Sequence, residues 1–415
     1  MSSATRREND PAAAAAAIEA LAKVEGRGSL YAHYDVLRAA DPIHRSQHPL
    51  FPNCWFVSRH ADIHQLLRDR RFVQDSRNSE VFAGSEGAFA EMVSRILIFL
   101  PPAAHQRTRD LVYRAFTPQQ VARRRPRIEA LVDELLSALE RGRECDLLQE
   151  VLYALPMTVI CELLGATQED RAVFEDTFSV QAAEVSDVGS ATPEQRQAAD
   201  RAVERFSVSV RALIRKHRDH PNDGILAKLI EAADDGDRLS EDEIVAAIYI
   251  LIGAGHETTA NLLGNGLAHL LGEHRDQWDR LVREPELVPS AVEELLRFDT
   301  SVQFNQRVAN EDVVFNGVEI KENERIIVLL GAANRDPEVF AEPQRLDIGR
   351  DPNPHLAFGA GANYCLGTHL ARLQMTIALD ALVRRMPELR LVSEPDWRPT
   401  WMMRGLRALP VALSP

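Results

Sequence analysis

The stretch Phe358–Gly367, FGAGANYCLG, sets a lone cysteine in a glycine-rich loop that runs directly into a helix. Leu366, Leu370, Leu373, Ile377 and Leu382 recur at helical spacing and form the apolar stripe of that helix. Glycines at 359, 361 and 367 let the backbone turn tightly and come close to a flat group, with no Cβ in the way. Several fates of Cys365 compete. A dinucleotide loop has another glycine spacing and needs a βαβ setting that is not seen here. A nucleophilic thiol needs a base and an orienting partner, and nothing local supplies them. A zinc site on Cys365 and His369, one helical turn apart, lacks a second pair of ligands. A buried structural cysteine is the commonest fate of all.

A fifth fate fits the loop better, that of axial ligand to a haem iron. Such a thiolate must be kept deprotonated, shielded from water and open to a flat macrocycle. Cys365 sits at a helix N-terminus, where the dipole and free amide groups favour an anion. A thiolate so placed pushes electron density onto iron and favours O–O cleavage.

The rest of the chain bounds the possibilities. Its 415 residues are 45% hydrophobic and 27% charged, an ordinary globular profile. A formal charge of −14 argues against a general nucleic-acid binder. Cys54, Cys145, Cys161 and Cys365 have no paired spacing, which suits a reducing compartment. MSSATRREND has no apolar h-region, and the strongest apolar run, Ile244–Gly255, falls well short of the ~20 residues that span a bilayer. A cytoplasmic protein without a membrane anchor is expected.

Helical periodicity dominates, so the expected fold is mainly α with a minor β region, as one domain over residues 1–415. The β-rich parts are expected near 45–60 and 300–330, with strands at Cys54–Ser58 and within Val313–Leu330. There Asn316-Gly317 is a two-residue hairpin signal. Residues 181–197 are polar and turn-rich, and read as an exposed loop between helices. Ser240 and Glu243 form a capping box that opens a helix running to Leu271, with Gly272 as its stop. That helix would be roughly 50 Å long. Its middle, Gly253-Ala254-Gly255-His256-Glu257-Thr258-Thr259, weakens a helix, which reads either as a packing notch or as room for something to fit.

With these residues in view, the chain resembles the cytochrome P-450 family over ordered matches from about Pro101 to Leu409. FGAGANYCLG is similar to the family's haem-ligand loop, which makes Cys365 the axial ligand of a haem b, with Phe358, Gly359, Gly367 and Ala254 against the cofactor. AGHETT, Ala254–Thr259, resembles the oxygen-activation stretch of the family's long central helix. The resemblance gives Thr258 a hydrogen bond to dioxygen at the iron and makes Glu257 the acid that feeds the proton relay. Chemically, a hydroxyl and a carboxylate adjacent on one helix can pass protons through water. EELLR is similar to the family's E-x-x-R helix, so Glu294 and Arg297, with Arg345 of PQRLD, are expected to form a structural ion-pair network. The spacing alone is weak, since Glu140/Arg143, Glu322/Arg325 and Glu342/Arg345 share it. His105, Arg109, Arg307 and His355 match positions that hold the haem propionates, groups that need cationic partners when buried. Two departures stand out. Asn363 replaces the usual histidine of the loop, which puts one haem contact in doubt, and Leu100 replaces an acid often found before Pro-x-x-His.

The resemblance implies a monooxygenase that inserts one oxygen atom of dioxygen into a C–H or C=C bond of a hydrophobic small molecule. The chain continues about fifty residues past Cys365 with no flavin or iron–sulfur segment, so electrons are expected from a separate ferredoxin and ferredoxin reductase. NAD(P)H would reach it only through those partners. Seven arginines between 107 and 127, against the single acid Asp110, read either as a solvated face or as a patch for an acidic ferredoxin. Leu97, Ala247, Leu251, Val302, Phe304 and Met402 are the expected substrate contacts, with Asp75, Ser76, Asn78 and Glu80 near the entrance. A terpenoid, steroid, fatty acid or macrolide-like scaffold all suit such a lining. Oxidative coupling or peroxide-driven turnover on the same fold, and a non-catalytic haem-binding role, are the alternatives.

Overall fold

The long helix runs from Glu241 to Leu271 without a break. At its start the Ser240 hydroxyl accepts from the Glu243 amide and the Glu243 carboxylate accepts from the Ser240 amide, the reciprocal box that the sequence predicts. Gly272 ends it. Ile244–Tyr249 and nearly all of Thr259–Leu271 are buried, so these parts of the helix form a core rod whose stability comes from packing on all sides. It packs against the helices Ala154–Leu164, Val288–Phe298 and Thr368–Arg385. The last of these is the helix that follows the cysteine loop. The molecule is a computed structural model that describes residues 10–23, 28, 30–74, 86–114, 116–139, 142–185, 192–220, 225–234 and 239–413.

The β region lies to one side of this helical body. Five short strands are ordered Ile43–Arg45, Cys54–Val57, Arg325–Val328, Asn305–Ala309 and Phe72–Val73. The pair Cys54–Val57 with Arg325–Val328 is parallel and the other neighbours are antiparallel. Its apolar faces pack as two small clusters, one around Trp55, Val57, Phe72 and Val328, the other around Tyr34, Phe56, Phe304 and Trp401. Strands Val313–Phe315 and Val318–Ile320 form the expected hairpin, with Asn316 and Gly317 both at positive φ (48° and 86°), as a tight two-residue turn requires.

Both ends of one expected loop are helical, while its residues 186–191 lie outside the described residues. Helix Gln168–Val185 covers the start of the stretch 181–197, and helix Pro193–Asp219 covers its end. The second helix opens on a capping box of Thr192 and Gln195, so the polar residues there are a helix start and not a coil. Among the described residues no helix is long and apolar enough to cross a membrane.

The ion-pair network under the site differs from expectation in one member. Glu294 and Arg297 are both fully buried and joined by two hydrogen bonds of 2.7 and 2.8 Å. The third member is Arg350, whose Nε lies 3.1 Å from Glu294, and not Arg345. Arg345 points outward, is 60% exposed and pairs with Glu342, while only its backbone carbonyl accepts from Arg297. Its spacing to Glu342 makes the surface pair, and the chain beyond it brings Arg350 inward to Glu294. Arg350→Ala is therefore expected to lower the melting temperature by several degrees, since about 1–3 kcal/mol is lost where a buried carboxylate gives up a charged donor. Arg345→Ala should leave it within a degree or two; equal effects from both in thermal unfolding would count against this assignment.

Candidate active site

Cys365 lies in the loop between the sheet side and the helix Thr368–Arg385, half-buried, with a free thiol. Its amide donates to the Phe358 carbonyl at 3.0 Å, which closes the loop on itself. Gly359 and Gly361 both take φ of 70°. A side chain at Gly361 would also meet the Leu67 carbonyl oxygen at 2.2 Å, so this position needs glycine twice over. Burial raises the thiol pKa, while the amides of Gly367 and Thr368 and the charges of Arg109 and Arg372 act the other way. The sulfur thus faces the amino end of the helix, as the sequence predicted, and an added cation would tip it to thiolate.

Around this loop the structure gathers cations. Arg109 Nη2 donates to the Tyr364 carbonyl at 2.6 Å, beside the cysteine. His105, one turn earlier on the helix Pro102–Tyr113, has its pKa lowered by burial and by Arg109 and Arg307. Arg307 is 3% exposed. Its guanidinium donates to the carbonyl of Gln306 at 2.7 Å, and among the described residues no carboxylate stands at ion-pair distance. Burial alone pulls its pKa down to about 10. A buried guanidinium without an anion is costly, and a carboxylate-bearing ligand would relieve it. His355 is placed otherwise. Its Nε2 lies 3.0 Å from Glu293, which also holds Arg372 at 2.7 Å, so the ring is already committed to a carboxylate and does not join Arg307. Asn363, at the departure from the usual loop, donates to Gln74.

The centre of the long helix turns an open face to the interior. Ala254 is exposed although it sits mid-helix, and a side chain at Gly255 would meet nothing within 4 Å. Gly253 differs, because Phe178 already packs where its Cβ would be, at 2.7 Å. Thr258 donates to the Ala254 carbonyl at 2.6 Å, one turn back. Glu257 is held at 2.7 Å by Arg398, a residue that no local spacing marks.

The expected substrate contacts divide. Ala254 and Leu251 lie on the partly open stretch of the helix, and Ala247 is buried one turn earlier. Leu97 is buried in a short turn, Leu97–Phe99, that packs on the central helix. Val302 bridges Met403 as an isolated strand contact. Phe304 is 4% exposed and its ring packs on Trp401 at 5.1 Å, with Met402 beside the same cluster. Phe304, just before the strand Asn305–Ala309, is therefore a core residue, because its ring packs into the small cluster around Trp401. Asp75, Ser76, Asn78 and Glu80 lie outside the described residues.

A model of the cytochrome P450 family matches residues 51–396, which include every one of these groups up to Asp396. The chain belongs to that family. Cytochrome P450 107B1 of Saccharopolyspora erythraea is 40% identical over 382 residues, covering 89% of this chain and 92% of that protein. Vitamin D(3) 25-hydroxylase of Pseudonocardia autotrophica is 38% identical, over 92% of this chain and 93% of its own. Among solved structures, P450BioI bound to an acyl carrier protein carrying hexadec-9Z-enoic acid superposes with a TM-score of 0.88 at 31% identity, covering 94% of this chain and 99% of that one. As a bacterial-type P450 the protein is an oxygenase that takes haem b and receives electrons through redox partners. The residues fit that cofactor: a cysteine sulfur at a helix start, and a buried arginine with no carboxylate at ion-pair distance among the described residues.

Sequence reasoning missed Arg350, Arg372, Arg398 and Tyr153. Each is a long polar side chain whose partner is far along the chain, so no local spacing marks it.

Proposed function

We propose that this P450 hydroxylates an unactivated C–H bond of a large hydrophobic scaffold, polyketide- or sterol-like, with electrons from a ferredoxin. The observation that carries the reading is the open face at Ala254–Thr258 on a helix packed against the cysteine helix. Cys365 would hold the iron, with His105, Arg109 and Arg307 on the propionates; haem then supplies dioxygen chemistry, driven by thiolate electron donation. Thr258 Oγ1 keeps lone pairs free beyond its bond to Ala254, so it can accept one proton while passing another. Glu257, next to it in the chain, is partly solvated and can take protons from water. Leu251, on the partly open stretch, supplies apolar surface toward a substrate of moderate or large size. The names of two relatives, the vitamin D(3) 25-hydroxylase above and the polyketide biosynthesis cytochrome P450 PksS of Bacillus subtilis, 35% identical over 91% of this chain and 94% of its own, support that size and polarity.

Labelled dioxygen decides the reaction class. With ferredoxin, its reductase and a compound that shifts the spin state, one labelled atom should enter the product. Label arriving only from peroxide would overturn dioxygen use. Thr258→Ala should keep reductant consumption but cut product per electron pair by about tenfold or more, with peroxide released instead.

Of the seven arginines in 107–127, Arg107 pairs with Glu243, Arg125 with Glu129, and Arg127 with Glu134 and Glu162. Arg114 and Arg123 are exposed, and the helix Pro118–Ala122 just before Arg123 packs on the cysteine helix. Reversing both charges should raise the KM for an acidic ferredoxin by about tenfold at low salt and far less at high salt. An unchanged KM at low salt would put the electron donor on another face.

A further inference from the structure

Glu257 does not stand free in the open face of the helix. Arg398 reaches it from the C-terminal hairpin, directly after the strand Asp396–Trp397 that pairs with Leu406–Ala408. The guanidinium forks. Nη1 donates to Glu257 Oε1 at 2.7 Å and Nη2 donates to the Tyr153 hydroxyl at 2.6 Å. Tyr153 in turn donates to Asn261 Oδ1 at 3.0 Å, a fully buried residue one turn beyond Glu257 on the same helix. Burial pushes the Tyr153 phenol up to about 12, so it stays protonated and can accept from Arg398 while donating to Asn261. His256 packs on the Tyr153 ring at 5.3 Å and burial lowers it to about 4, so it adds no second cation. The backbone fixes the arm as well, since the Arg398 amide donates to the Gly405 carbonyl at 2.9 Å.

The contrast with Glu294 and Arg297 is instructive. That pair is fully buried and cannot open, whereas Arg398 and Glu257 are 26% and 27% exposed. A partly solvated pair is weak and opens readily, while its planar fork still fixes a direction. We propose that Arg398, steadied by Tyr153, is a positioning residue that holds the Glu257 carboxylate toward the hairpin, so that protons pass through Glu257 only as this ion pair opens. The proposal rests on the reading of Glu257 as the relay acid. It makes the C-terminal hairpin a part of proton delivery, although it carries no residue of the cysteine loop or of the open helix face.

The test uses the haem-loaded protein and Arg398→Gln, Arg398→Lys and Tyr153→Phe, each alone and combined with Glu257→Gln. Two readouts are taken, the melting temperature of the resting ferric protein and the solvent deuterium isotope effect on substrate-dependent reductant oxidation. Arg398→Gln should change the isotope effect by about twofold or more, Tyr153→Phe should shift it in the same direction by less, and Arg398→Lys should return it toward the parent. In the Glu257→Gln background Arg398→Gln should add nothing, and the melting temperatures should be non-additive. A parental isotope effect in Arg398→Gln with a changed one in Glu257→Gln overturns the latch alone. A parental value in Glu257→Gln overturns the relay reading, and the latch with it. Strictly additive melting temperatures also overturn the latch. Should Arg398→Gln fail to keep haem, Tyr153→Phe carries the same comparison, because it leaves the guanidinium and its bond to Glu257 in place.

Discussion

Glu294→Ala is expected to give a chain that neither folds stably at 37 °C nor retains haem. The carboxylate it removes accepts from Arg297 Nε and Nη2, from the Asp347 amide, from Arg350 Nε and from Asn353 Nδ2, all of them donors. Arg297 would be left fully buried with its charge unpaired, holding only the carbonyls of Asn334, Pro343 and Arg345. Breaking one side of a buried pair costs about 3–5 kcal/mol, a large part of the ~5–15 kcal/mol that holds a typical domain. Glu294→Gln should be only partly better, because its amide nitrogen turns a donor toward donors. Removing both charges together, as Glu294→Leu with Arg297→Met, should recover part of the loss, since the fully buried Arg297 charge goes with its partner and Arg350, 11% exposed, is the cation left without its carboxylate. Thermal unfolding and haem retention read all three; a Glu294→Ala protein that melts like the parent would show that the network does not hold this part of the fold.

Cys365→Ser is expected to abolish the strongly red-shifted Soret band that marks a thiolate opposite carbon monoxide in the reduced protein. Product formation should fall by well over about a hundredfold, more than the loss typical of a residue that only supports a ligand. The sulfur is poised between opposing influences. Burial disfavours its anion, and the amides of Gly367 and Thr368 with Arg109 and Arg372 favour it. A haem iron held by Cys365 would settle that balance toward thiolate, because a coordinated thiol loses its proton outright. A serine hydroxyl in the same place is far less acidic and gives no comparable electron donation. The parent spectrum is a test of equal weight. A band at the ordinary histidine-ligated position would mean that the thiolate is protonated or displaced, with Asn363 and its bond to Gln74 the first place to look. Absence of any haem spectrum after reconstitution would sink the assignment of Cys365.

Much of the architecture was legible because its signals are short-range. The capping box at Ser240 and Glu243, the stop at Gly272 and the turn at Asn316-Gly317 each involve residues within a few positions of one another. The glycines of the cysteine loop are of this kind too, since φ is a property of single residues and Gly361 also answers a contact with Leu67 that only close approach creates. Composition misled at the two ends of 181–197, where the polar residues that favour loops also make good helix caps.

What the sequence by itself determined is the fold class, the long helix with its weak centre, and the one cysteine placed at a helix start. What the tertiary structure decided is which charged side chain meets which. Arg345 and Arg350 are five positions apart, and only the path of the chain shows that the second reaches Glu294 while the first turns to water. His355 is drawn to Glu293, Phe304 to Trp401, and Arg398 to Glu257 across 141 positions. Helix and turn signals act over one or two turns of backbone, so they can be read in order along the chain. An arginine on a long flexible stem has no such register, and its partner is set only when folding brings distant segments within reach.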